Sequence, residues 1–169
     1  GETGIHGGSA SFTSNGQDPP RSTSWGITLS PKFGYFVADS VQLRLTALYD
    51  YYQEDQQGYQ AVDNAFSFLF GPAYFFDQGT HIFPFMGFGL GYTLSTFETR
   101  ENAGDTPETF TFIGFSGEAY AGMRYLFGEY TFMDLSLPYL LDFLKDSENG
   151  NNKKTNGTGL LKLGIGIRF

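Results

Sequence analysis

A chain of 169 residues with 23 glycines, 19 phenylalanines, 11 tyrosines and no cysteine fits one domain, and excludes a disulfide framework or a thiolate metal site. Its net charge of −8 argues against a nucleic-acid partner, which would need a basic face to release counterions. Mean hydropathy is −0.24 and no apolar run reaches the roughly 20 residues of a membrane helix. A barrel strand, however, shows lipid at only every second residue, so a transmembrane sheet stays open.

Alternation of apolar and polar residues predicts eight strands, taken here in chain order. The opening Gly1-Glu2-Thr3-Gly4 carries no leader-like pattern and says nothing about export. The first strand, Gly4 to Ser14, is the weakest, with only Ile5, Ala10 and Phe12 apolar. From Trp25 to Tyr35, the residues Ile27, Leu29 and Phe33 oppose Gly26, Thr28, Ser30 and Lys32. From Val41 to Tyr52, the residues Leu43, Leu45, Tyr49 and Tyr51 oppose Gln42, Arg44, Thr46 and Asp50. Phe66 to Phe76 and His81 to Phe97 give the fourth and fifth strands, the latter with Gly87, Gly89 and Gly91 along one face. Thr109 to Phe127 places Ile113, Phe115 and Met123 opposite Ser116, Glu118 and Arg124. Glu129 to Phe143 follows, and Leu161, Leu163, Ile165, Ile167 and Phe169 then oppose Lys162, Gly164, Gly166 and Arg168.

The connections alternate in length. Val37 to Ser40, Asp77 to Thr80 and the step around Gly128 read as tight turns, whereas about 15–23, 53–63, 98–108 and 144–157 read as longer polar loops. That rhythm predicts an all-β, up-and-down barrel of eight antiparallel strands over 1–169, with short periplasmic turns, extracellular long loops and both termini periplasmic.

A soluble barrel would alternate too, with its apolar face inside. Here the polar face carries Lys32, Arg44, Asp50, Glu118, Arg124, Asp134, Lys162 and Arg168, mixed with glycine, serine and threonine. Facing water, so much glycine would weaken strands without helping solubility. Inside a narrow eight-stranded barrel it makes room for long charged side chains, so these eight residues are expected to form a lumen charge network. Arg124–Glu118 and Arg44–Asp50 are the expected pairs, because a buried charge left alone costs several kcal/mol. Two aromatic girdles are expected as well: Tyr35, Tyr74 and Tyr125 at the short-turn ends, and Trp25, Tyr49, Tyr51, Tyr92 and Tyr139 toward the long loops.

The segments Gly122-Met123-Arg124-Tyr125-Leu126-Phe127 and Leu163-Gly164-Ile165-Gly166-Ile167-Arg168-Phe169 resemble the small outer-membrane barrels of the OmpA/OmpX and porin-opacity type. The resemblance covers the whole chain in architecture but rests on short motifs. It implies a bacterial outer-membrane location, contact with outer-membrane lipid and lipopolysaccharide, and Phe169 as the residue read by the assembly machinery during insertion. It also leaves room for a protein partner in a larger envelope complex.

Two lipid-A-modifying enzymes are built on barrels of this size. This chain has only His6 and His81, both near the short-turn end and neither with a same-face serine two residues on, so no catalytic residue is assigned and an enzyme is not expected. Acidic loops such as Asp146 to Asn152 lack calcium-loop spacing, so no metal site or cofactor is expected. The expected role is structural or one of surface interaction, around a lumen filled by side chains. The alternative is an OmpW-like conduit for small hydrophobic solutes, with Phe97, Phe110 and Phe112 lining its mouth.

Overall fold

The computed structural model describes residues 2–7, 22–56, 59–100, 106–148, 153–159 and 161–169. The second half of the expected first strand, most of the expected loop 15–23, and the tips 101–105 and 149–152 lie outside the described residues. All the described elements are strands: β1 (Glu2–Gly7), β2 (Ser22–Leu29), β3 (Lys32–Ala38), β4 (Val41–Gln56), β5 (Tyr59–Phe75), β6 (Ile82–Arg100), β7 (Glu108–Phe127), β8 (Thr131–Asp146), β9 (Lys153–Gly159) and β10 (Lys162–Arg168).

These ten segments make eight staves. Pro31 has no N–H to give a ladder, so it splits one stave into β2 and β3. The register does not slip across the break: Leu29 faces Tyr49 on β4, and Lys32 faces Thr46. Likewise β9 and β10 run along β8 in one register, Gly159 opposite Tyr139 and Lys162 opposite Ser136. Every pairing is antiparallel and joins sequence neighbours, except the one that closes the barrel, where β1 lies along β10 with Glu2 opposite Arg168.

The turns at one end are built by residues suited to them. Gly79 and Gly128 have φ of 65° and 76°, the left-handed region that side chains avoid. The Gly79 amide also donates to the Asp77 carboxylate, at 2.8 Å. At the other end the strands run further than alternation suggested. The expected loop 53–63 is mostly ladder, paired up to Gln56 opposite Tyr59, and β6 carries the strand on to Arg100. β6 and β7 are 19 and 20 residues long, about twice the 9–11 that a tilted strand needs to cross a bilayer.

Inside and outside are reversed relative to a water-soluble barrel. On β8, Leu135, Leu137, Tyr139, Leu141 and Phe143 point outward and are exposed, while Asp134, Ser136 and Asp142 are buried inside. The same division holds on β6, with Met86, Phe88, Leu90, Tyr92 and Leu94 outward and Thr93 and Ser95 inward. An apolar wall around a polar interior suits hydrocarbon as the solvent.

Candidate functional site

The interior falls into three levels. Nearest the short turns, Phe75, Phe85, Tyr120 and Ala73 pack into a cluster that Phe36 and Phe83 adjoin. Two guanidinium groups are wedged among these rings. Arg44 lies 5.0 Å from the Tyr120 centroid and 5.3 Å from that of Phe85, and Arg124 lies 3.7 Å from Phe132 and 4.8 Å from Phe75. Desolvated cation–π contacts of this kind are worth about 2 kcal/mol each. Above them Leu48, Leu69 and Leu140 form a short apolar belt. Toward the long strands, a hydroxyl ladder crosses four adjacent staves: Ser67 bonds Thr93, Thr93 bonds Ser116, and Ser116 donates to the Asp142 carboxylate. Ser95 donates to Asp63 at 3.0 Å beside it, and Thr28 donates to Asp50.

Lys32, Arg44, Glu118, Arg124, Asp134 and Lys162 are buried in the interior, and Asp50 is half-buried. Arg168 is different: it ends β10, lies exposed, and lines a cavity of about 560 Å³ at the short-turn mouth together with Phe83 and Phe169. The expected pairs Arg124–Glu118 and Arg44–Asp50 do not form. Each joins residues six apart on one strand, which the strand rise separates by about 20 Å. Arg124 instead clamps Asp134 on the next strand, with Nε to Oδ1 at 2.7 Å and Nη2 to Oδ2 at 2.8 Å. Arg44 donates twice to Gln42 Oε1, at 3.1 and 3.0 Å.

Gln42, read from the sequence on the polar face of its strand, also belongs to this interior, as do Asp63 and Asp146, which the sequence placed in loops, and Asp142, which it did not single out. Carrying the β8 alternation past Ser136 would have reached both Asp142 and Asp146. The inward rings Phe75, Phe85, Tyr120 and Phe132 were hidden because an apolar residue on the polar face breaks the pattern. The glycines make room for rings at least as much as for charges. A Cβ at Gly87 would sit 2.5 Å from the Tyr120 hydroxyl oxygen and 2.6 Å from Pro72 O, and one at Gly122 would sit 2.7 Å from Phe85 Cζ. Gly87→Ala is therefore expected to destabilise the barrel by about 1–3 kcal/mol, measured by urea unfolding in detergent, because the overpacked ring has little room to move.

On the outer wall, Trp25, Tyr35, Tyr49, Tyr74, Tyr92, Tyr125 and Tyr139 are exposed. Tyr51 is half-buried against the Trp25 ring at 4.9 Å, and its hydroxyl donates to Gln53. Phe36, next to Tyr35 at the short-turn end, turns inward onto Phe75 at 5.4 Å. Its neighbour Val37 sits at a register irregularity between Phe36 and Ala38.

No family model and no curated protein matches the sequence. Solved structures do match over nearly the full length. Ail of Yersinia pestis is 15% identical with a TM-score of 0.58, covering 100% of this chain and 99% of its own. OprG of Pseudomonas aeruginosa is 17% identical with a TM-score of 0.57, over 100% and 96%. The Neisserial surface protein A is 18% identical with a TM-score of 0.55, over 99% and 94%. The inverted wall, the eight closed staves and these likenesses agree: the chain has the fold of the small eight-stranded outer-membrane β-barrels.

Proposed function

We propose that this chain is an integral barrel of the bacterial outer membrane with a structural or surface-interaction role, and that it works without catalysis. The observation that carries the reading is the pairing of a filled interior with strands that outrun the bilayer. Arg44, Arg124 and the rings of Phe75, Phe85, Tyr120 and Phe132 occupy the short-turn half of the lumen, where a porin would hold water. The upper parts of β4 to β7 rise beyond the membrane as paired sheet, and that rim is the surface offered to a partner. Lipid and lipopolysaccharide meet the apolar wall, and Phe169, which is exposed at the mouth, is the residue proposed for reading by the assembly machinery.

Planar-bilayer recording tests the filled lumen. The purified barrel is expected to give no porin-sized steps, and steady large conductance would overturn the reading. Co-purification from the native envelope in mild detergent tests the partner: a stoichiometric companion lost on shortening the β6–β7 rim supports surface interaction.

A second reading, a conduit for small hydrophobic solutes, is favoured by one feature. Phe97 and Phe110 are directly opposed in the β6–β7 register, and Phe112 joins them on the inward face above the hydroxyl ladder. Uptake of a small apolar dye into vesicles carrying the barrel, reduced by Phe110→Asp, would move the assignment to transport.

A further inference from the structure

We propose that the lower lumen is a binding site for one small inorganic anion, a halide or an oxyanion such as phosphate, held between Lys32, Arg44 and Lys162. All three cations are buried. Lys32 and Arg44 share the Tyr120 ring, with Nζ 5.7 Å and Cζ 5.0 Å from its centroid. Lys162 and Glu118 are near enough to Lys32 to act on its charge. Asp134 also acts on Lys32 while carrying the bidentate pair with Arg124, so among these buried side chains two carboxylates, Glu118 and Asp134, meet four cations, Lys32, Arg44, Arg124 and Lys162.

Donors in the same region lack acceptors. Arg44 Nη1 is buried with no hydrogen-bond partner, and so are the hydroxyls of Ser30 and Ser136. Ser30 precedes Lys32 by two residues on the same face, and Ser136 stands opposite Lys162 in the β8–β10 register. A polar atom buried without a partner is costly, and a buried excess of positive charge more so. One anion offers acceptors to a guanidinium N–H, to hydroxyls and to ammonium groups together, and it balances the charge. Gly4 and Gly166 follow Lys32 around the ladder, so these two positions of the closing staves carry no side chain.

The register also places Glu2 opposite Gly34 and Arg168, and His6 opposite Gly164, so the test separates a bound anion from a charge supplied by the chain. The refolded barrel is heated in zwitterionic detergent at fixed ionic strength set with gluconate, and chloride or phosphate is exchanged in. The unfolding midpoint is expected to rise and then saturate with one or both anions, as for a ligand that binds only the folded state. Lys162→Met should weaken the apparent affinity about tenfold, Glu118→Gln should strengthen it by a similar factor, and Lys145→Gln on the outer wall should leave it unchanged.

A midpoint indifferent to both anions overturns the proposal, as does an equal response in native and Lys162→Met barrels, which would be general screening. An anion response that appears only in Glu2→Gln also overturns it, because Glu2 would then supply the missing charge. Should Lys162→Met fail to refold, the opposite signs expected for Glu118→Gln and Ser136→Ala, stronger and weaker respectively, decide the matter.

Discussion

Replacing Asp134 with alanine is expected to cost about 3–5 kcal/mol of barrel stability, because it strands the Arg124 guanidinium in the lumen. Both partners are buried, and the pair is bidentate at 2.7 and 2.8 Å, the geometry in which a guanidinium–carboxylate contact is strongest. The rings of Phe132 and Phe75 would still hold the cation, but they cannot replace a charge. The double variant Arg124→Met with Asp134→Leu should recover most of the loss, since exchanging a buried ion pair for apolar groups of similar volume is often neutral. Urea unfolding of the refolded barrel in lipid vesicles reads both. A single variant as stable as the native chain would mean that the pair is not what fixes Arg124.

The second large effect lies on the other side of the wall. Leu137 points outward near the middle of the span of β8, and it is 59% exposed. In hydrocarbon that exposure is contact with lipid, so Leu137→Arg should cost about 2–4 kcal/mol. Tyr130 is similarly exposed, at 66%, but lies in the short turn, where an arginine reaches the headgroups and should cost at most about 1 kcal/mol. Equal costs at the two sites would mean that the wall does not face a bilayer. The contrast is informative because a soluble protein would tolerate an arginine at either exposed position.

The outward faces were legible from the sequence, and the reason is physical. Within the bilayer one face of each strand meets lipid and the other the lumen, so Leu163, Ile165 and Ile167 must alternate with polar or small residues. Above the bilayer both faces meet water and that constraint lapses, while backbone hydrogen bonds continue to hold the strand. The stretch Gln53-Glu54-Asp55-Gln56 is polar throughout and read as loop, yet it is ladder up to its last residue.

The interior was legible as a list of charged residues but not as a set of contacts. A sequence shows neighbours along a strand, and the charge partners lie across strands. The register that brings Asp134 opposite Arg124 is set by the β7–β8 turn around Gly128. The rings of Phe85 and Phe132 were missed for a related reason. A narrow lumen has to be packed as well as neutralised, and packing recruits apolar side chains that the alternation assigns to lipid.

The closing pair, β1 on β10, has a kinetic consequence. Its two strands are separated by nearly the whole sequence, with Glu2 opposite Arg168, so no local hairpin can nucleate it. The other seams join consecutive staves and can zip from their turns, while this one waits until the rest of the sheet has curled, at the loop-closure entropy of the full length. Until then β1 and β10 each present an unpaired edge, open to the same edge on another molecule. Dilution or slower delivery of unfolded chain should therefore raise the yield of closed monomer more than added denaturant does.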